Sequence, residues 1–230
     1  MTPTLVLLVV AAYLAGSIPF AYLAVKWARG IDIRRHGTGK VGASNVLKLT
    51  SKRLAVAVTL ADVGKGALMV WLAQLAGLGA AAQAAVAVAA IIGHNWPVFL
   101  RFHGGRGIFT SLGVITAQVP LIGLIMLVGP YLLAPIRQVA LGVFLFLLAL
   151  PFLSWFLSQP LGVEERLPTT LGFVALSLVA FFRRLIVPRD ELSQSVSPVR
   201  LYINRLLFDR DISDRKAWIN RQPAGQESKD

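Results

Sequence analysis

Long apolar stretches, broken at a few polar points, make up most of this chain. A first run covers about 4–27 and ends at a basic, glycine-rich loop over 28–53. A second covers 54–75 and carries Asp-Val-Gly-Lys-Gly (Asp62 to Gly66) inside it. A short uncharged turn at Gly77 to Ala82 leads to a third run, 79–98, which closes on Gly-His-Asn-Trp-Pro (Gly93 to Pro97). Runs at 136–158 and 168–186 follow later. Each approaches the roughly 20 residues a helix needs to cross hydrocarbon. The predicted fold is therefore an all-α integral membrane protein.

Segment 107–135 admits two readings. It is apolar throughout, but Pro120 interrupts it and Pro130 and Pro135 close it. As one span it places Arg137, Arg183 and Arg184 outside; as two short legs hinged at Pro120 it places them inside, with Glu164-Glu165-Arg166 outside. Basic residues favour the cytoplasmic side of a membrane, which selects the two-leg reading. A first leg of 13 residues reaches only about 20 Å, so it must be buried among other helices. The expectation is seven membrane segments, N-terminus outside and C-terminus cytoplasmic, with six spans as the alternative. Residues 1–186 form the membrane domain. Residues 187–230 form a polar cytoplasmic tail with one amphipathic stretch, Val199 to Asp211, and a disordered last ten residues. The first run lacks a basic n-region and a small-residue cleavage site, so it reads as a retained span.

Composition sharpens this picture. The 230 residues are 56% hydrophobic and 15% charged, with a mean hydropathy of +0.67. A water-soluble domain carries about a quarter charged residues, too many for this chain to match. The net charge of +12 is concentrated in the loops, as the positive-inside rule requires. It does not form a basic face with aromatic platforms, so nucleic acid is not an expected partner. Cysteine is absent, which excludes disulfide and thiol chemistry. His36, His94 and His103 lack metal-ligand spacing, and no Walker loop or nucleophile elbow occurs. No internal repeat of the transporter kind is visible.

The polar interruptions all fall on the cytoplasmic side. In Gly30 to Lys48, Gly37, Gly39 and Gly42 permit positive φ and exposed backbone N–H groups, which bind anions. Thr38, Ser44 and Asn45 add donors, and Lys40 and Lys48 add charge. Gly104, Gly105 and Gly107 around Arg106 form a second candidate anion nest. Asp62 and Lys65 are either a structural ion pair or part of a site; charges inside a span need a partner or a wet cavity. His94 is either a general base or a hydrogen-bonded interfacial residue. Two nests on one face, each with a cation, point to a phosphate site.

These motifs carry a resemblance. Gly16-Ser17-Ile18-Pro19 is followed by Gly30, Asp32, Arg34, Gly37, Thr38, Gly39, Lys40, Gly42, Ala43, Ser44, Asn45 and Lys48, then by Asp62, Lys65 and Gly66. Gly93, His94 and Pro97 precede Gly104, Gly105, Arg106 and Gly107. Over about 4–186 the chain resembles the bacterial acyl-phosphate-dependent glycerol-3-phosphate acyltransferases. The resemblance implies seven spans in the bacterial inner (cell) membrane and a site facing the cytoplasm. It implies transfer of an acyl group from acyl phosphate to the 1-hydroxyl of glycerol 3-phosphate, with no metal, coenzyme A or carrier protein. Thr38, Lys48 and Arg106 are the implied catalytic residues. Substrate contacts fall to Ser17, Gly37, Gly39, Lys40, Gly42, Ser44, Asn45, Lys65, His94, Gly104, Gly105 and Gly107. Departures are visible: the family's Ser, Asn, Thr, Arg and Lys stand here as Thr38, Lys40, Ser44, Lys48 and Arg106. The family's C-terminal His-x-x-Asn-Ile-x-Arg-Leu-Leu is reduced to Tyr202 to Leu207, and a family serine gives way to Ala140 to Val143. A diverged relative using another phosphorylated acceptor is the alternative, and a non-enzymatic transporter or scaffold a remoter one. Partners are the two substrates and membrane lipids.

Overall fold

The computed structural model describes residues 2–189 and 191–220, and the disorder expected of the last ten residues concerns positions outside these. Every regular element in them is helical. α1 (Pro3–Ser17) and α2 (Phe20–Arg29) form one apolar rod interrupted at Ile18–Pro19. A proline has no N–H for the helix ladder, and it disfavours helical geometry in the residue before it. Ile18 accordingly takes ψ 115°. The loop beyond holds a 3-10 turn at Ile33–Arg35 and α3 (Ala43–Leu49).

α4 (Lys52–Leu75), α5 (Ala80–Asn95) together with the 3-10 turn that follows it to Leu100, α8 (Val139–Leu157) and α9 (Arg166–Leu185) are also long and apolar enough to cross a membrane, five stretches among the described residues with the α1–α2 rod. Between α5 and α8 lie two shorter apolar pieces. α6 (Ile108–Gln118) ends at Val119, and α7 (Pro120–Val128) starts anew at the proline, continuing as a 3-10 turn to Leu133. Val119 at ψ 91° makes the break, as a residue preceding proline does.

The bundle pairs α1 with α5, α4 with α6, α5 with α9 and α8 with α9. Close approach rests on small residues, as between helices in lipid. A Cβ on Gly66 would overlap the Thr110 carbonyl and one on Gly113 the Val63 carbonyl, so α4 and α6 touch backbone to backbone. Ile91, Ile115, Ile122, Leu150 and Phe173 are buried between them. Leu7, Leu60, Trp71, Leu132, Phe152, Phe156 and Leu178 point outward as the apolar coat a lipid environment requires.

After α9 come α10 (Glu191–Gln194), α11 (Pro198–Phe208) and α12 (Arg215–Asn220). The amphipathic stretch predicted over Val199 to Asp211 is helical to Phe208, and its buried face of Leu201, Asn204 and Arg205 lies against α8 and α9. Arg205 donates to the carbonyls of Leu185, Val187 and Pro188 and pairs with Asp211 at 2.8 Å. Both side chains are 4% exposed. This staple brings the residue after α11, Asp209, back to the end of the bundle.

Candidate functional site

At that end, the loop after α2, the loop after α5, the last turn of α9 and the residue after α11 enclose a cavity of about 250 Å³. Gly39, Lys40, Gly42, Ser44, His94, Gly104, Gly105, Arg106 and Gly107 line it, joined by Asp62, Arg183, Arg184 and Asp209. Motifs more than 60 positions apart in sequence thus share one chamber.

The first loop is folded around a buried amide. Asn45 accepts from the Thr38 N–H at 2.9 Å and donates to the carbonyls of Ile33, His36 and Lys40. Gly37 and Gly39 take φ of +65° and +69°, which lets the strand of backbone wrap that amide. Asn45 is thereby a scaffold residue, wholly buried and outside the cavity, and not a phosphate ligand. Gly42 corrects another expectation: at φ −172° it is ordinary extended backbone. Outside the loop's tip, the Asp32 carboxylate accepts from Arg34 at its guanidinium and its backbone N–H, and this holds it below the usual carboxylate range.

The anion nests are also revised. The Thr38 N–H is held by Asn45, the Gly39 N–H by the His36 carbonyl at 3.1 Å, and the Gly105 N–H by the His94 carbonyl at 3.1 Å. These donors satisfy the loops themselves, as buried backbone groups must. Side-chain cations join the backbone at this lining: Lys40, Arg106, Arg183 and Arg184. Lys48 is not among them: it stands on the exposed side of α3, outside this lining. Thr38 faces a neighbouring cavity, which Lys40 and Ser44 also line.

Asp62 and His94 line the chamber's inner side, and Lys65 backs them. Lys65 Nζ lies 2.9 Å from Asp62 Oδ1 and donates to the Ile18 carbonyl at 3.0 Å, beside the proline break. His94 Nδ1 is 3.4 Å from the same carboxylate oxygen and 3.2 Å from the Thr110 hydroxyl. Its Nε2 abuts Gly105, where a Cβ would overlap it. Nδ1 is thus engaged by protein groups, while Nε2 lies beside Gly105 at the cavity lining. Lys65 and Ser17 border a much smaller space of about 10 Å³ behind this wall, and Ser17 donates to the Tyr13 carbonyl.

Three residues of the chamber were not foreseen. Arg183 donates to the carbonyls of Gly104 and Gly105 at 3.0 and 3.1 Å, while Arg106 donates to the Arg183 carbonyl, so α9 and the second glycine loop grip each other. Arg184 donates to the carbonyls of Leu206 and Ala140, tying α11 to α8 and α9. Asp209 stands between Lys40 Nζ at 2.5 Å and Arg106 Nη2 at 2.9 Å. Burial alone would raise its pKa, but Arg106, Lys40 and Arg184 hold it well below the usual carboxylate range. Burial lowers Lys40 to about 8 in spite of Asp209, with Arg106 adding to the fall. The signal for the two arginines was a basic pair at a span end, which the positive-inside rule had already explained away. Asp209 lies 169 residues from Lys40, and no local pattern links them.

Known proteins share this arrangement of sequence and fold. The family model described as glycerol-3-phosphate acyltransferase matches residues 6–187. A protein named glycerol-3-phosphate acyltransferase 4, from Dehalococcoides mccartyi (strain CBDB1), is 47% identical over 97% of each chain. Two crystal structures of PlsY (YgiH), an integral membrane glycerol 3-phosphate acyltransferase, superpose with TM-scores of 0.69 over 79% of this chain and 88% of theirs. One is the glycerol 3-phosphate form at 27% identity, the other the lysophosphatidic acid form at 28%. The chain is a membrane protein that belongs to the glycerol-3-phosphate acyltransferase family.

Proposed function

We propose that this protein transfers an acyl group from acyl phosphate to the 1-hydroxyl of glycerol 3-phosphate, releasing lysophosphatidic acid and inorganic phosphate. The carrying observation is the chamber in which Lys40, Arg106, Arg183 and Arg184 converge at one end of a helical bundle with an apolar coat. Membership of the family and the two related crystal forms support the same reading.

The chemistry asks little covalent help of the protein. Acyl phosphate is a mixed anhydride whose phosphate is already a good leaving group. The acceptor hydroxyl attacks the acyl carbon, the bond from that carbon to the bridging oxygen breaks, and phosphate departs with the electron pair. The hydroxyl proton passes to a phosphate oxygen of a substrate, so that no protein base is required. The enzyme's share is to hold two anions side by side and offset charge as it develops on the leaving phosphate. Arg106, with a planar fork of donors, is the clamp for that phosphate, and Lys40 the point charge beside it. Ser44 supplies a hydroxyl at the border with the neighbouring cavity.

Seven membrane segments, N-terminus outside, complete the proposal. The break at Val119–Pro120 supports counting α6 and α7 as two legs. The chamber then faces the cytoplasm of a bacterial cell membrane, where both soluble and lipid-borne phosphates have access.

The decisive experiment uses purified protein with palmitoyl phosphate and glycerol 3-phosphate, following phosphate and lysophosphatidic acid together. Acceptor-dependent release with matching product is expected, and Arg106→Ala should lower it about 10²–10³-fold, the usual loss when a charge-stabilising donor is removed. A folded protein that makes no product from this pair would shift the reading to another phosphorylated acceptor.

A further inference from the structure

A second cavity, of about 350 Å³, lies against the first on the far side of Lys40, Ser44 and Asp209. Arg137, Arg210 and Arg215 face it along with Lys40, and Asp209 is the one carboxylate among its lining residues. That carboxylate is already shared between Lys40 and Arg106. Arg137, Arg210 and Arg215 are thus left to face a space whose single lining acid already answers Lys40 and Arg106.

Arg210 makes the imbalance acute. It is 9% exposed, it stacks 4.9 Å over the Phe208 ring, and its buried Nε has no hydrogen-bond partner among the described residues. A buried guanidinium N–H without an acceptor is destabilising, and native proteins rarely leave one so. Burial lowers the pKa of Arg210, and the neighbouring Arg215 lowers it further. Asp214, the nearby acid, accepts instead from the backbone N–H groups of Lys216 and Ala217 at the start of α12. The backbone is strained here too. Arg137 and Asp209 hold φ of +60° and +52°, and both line this cavity. Non-glycine residues rarely adopt that conformation, and such strain gathers at binding sites.

We propose that this cavity is a second phosphate site, which takes a phosphate monoester against Arg137, Arg210 and Arg215. Phe208, Ala134 and Val139 give it an apolar wall for a short carbon skeleton. The anion meets the guanidinium groups that line the cavity and offsets the repulsion between Arg210 and Arg215. Two sources share this chemistry: the soluble acceptor, glycerol 3-phosphate, and the headgroup of a phosphatidate-like lipid. Assignment to the acceptor rests on the acyl-transfer reading; the phosphate site itself does not.

The test uses full-length protein and the variants Arg210→Gln and Arg137→Gln. Acceptor and donor KM, kcat, and melting temperature with and without inorganic phosphate are measured. The measurements are repeated in nanodiscs of phosphatidylcholine with and without phosphatidic acid. Stabilisation by phosphate should shrink in both variants, leaving the share that the first chamber contributes. Acceptor KM should rise about tenfold in each, as for one charge-assisted hydrogen bond, with donor KM and kcat within about twofold. An unchanged acceptor KM with a lost response to phosphatidic acid would assign the same site to a lipid headgroup. Variants that melt as the wild type does and keep every phosphate response would overturn the proposal. Arg137 is exposed, so its variant reports even where loss of Arg210 unfolds the chain. Should the wild type make no lysophosphatidic acid yet show phosphate stabilisation that shrinks in both variants, the site stands and the acyl-transfer reading falls.

Discussion

Lys40 sets a pH limit on the reaction chamber. Its ammonium is the charged form, and burial has brought its pKa down from about 10.5 to about 8. Between those values the unfolded chain keeps a proton that the folded chain has released, so folding stability rises with pH across that window. Phosphate binding runs the other way, because the cation that attracts the anion is lost as pH rises through about 8. In the free enzyme kcat/KM should therefore fall above about pH 8, and Lys40→Arg, which stays charged, should flatten that limb. A profile identical in both proteins would remove Lys40 from phosphate binding. This residue also marks the limit of sequence reading. Lys40 stood out as a departure that added charge to a glycine loop, but the carboxylate that answers it, Asp209, is in a different motif and reaches it only through the fold. Asn45 shows the opposite error. Its position inside a glycine-rich motif suggested a ligand, whereas its amide is consumed by four backbone groups of that same loop.

Among elements, α11 carries an outsized share of the site's integrity. Arg205 is the rivet: three carbonyls at the end of α9 and just beyond it, and the Asp211 carboxylate, all converge on one guanidinium. Removing one partner from a buried ion pair leaves the other uncompensated, at a cost of about 3–5 kcal/mol. Arg205→Ala should lower the melting temperature and speed tryptic cleavage at Arg200, Arg210 and Arg215, while Arg205→Lys should restore only part of either, lacking the fork. A variant as resistant as the wild type would mean that α11 is held by its apolar face alone. The helix itself was legible, since Leu201, Arg205 and their neighbours repeat at helical spacing. Its docking was not, because an amphipathic helix after a last span fits a lipid surface as well as a protein one. The α6–α7 break was legible for a simpler reason: Pro120 has no N–H to give to the ladder, whatever surrounds it.

At the scale of the whole molecule, hydropathy was sufficient to locate every long helix, because length in hydrocarbon is a requirement each span meets on its own. Which ends meet was not readable, since backbone contacts such as Gly113 against Val63 leave no mark beyond small residues. Orientation is open to direct measurement, and the absence of native cysteine makes it clean. With single cysteines at His103 and Glu164, a membrane-impermeant maleimide on intact cells should label position 164 and reach 103 only after permeabilisation. Labelling of both on one side would favour six spans over seven. One consequence concerns synthesis. The membrane helices end at Leu185, whereas Asp209 follows a further 24 positions on in the order of translation, 209 − 185. A nascent chain can thus have its bundle inserted while Lys40, Arg106 and Arg184 still face one another without their carboxylate. The chamber reaches its paired electrostatic state only once the stretch that carries Asp209 has followed the bundle out of the ribosome and docked on it.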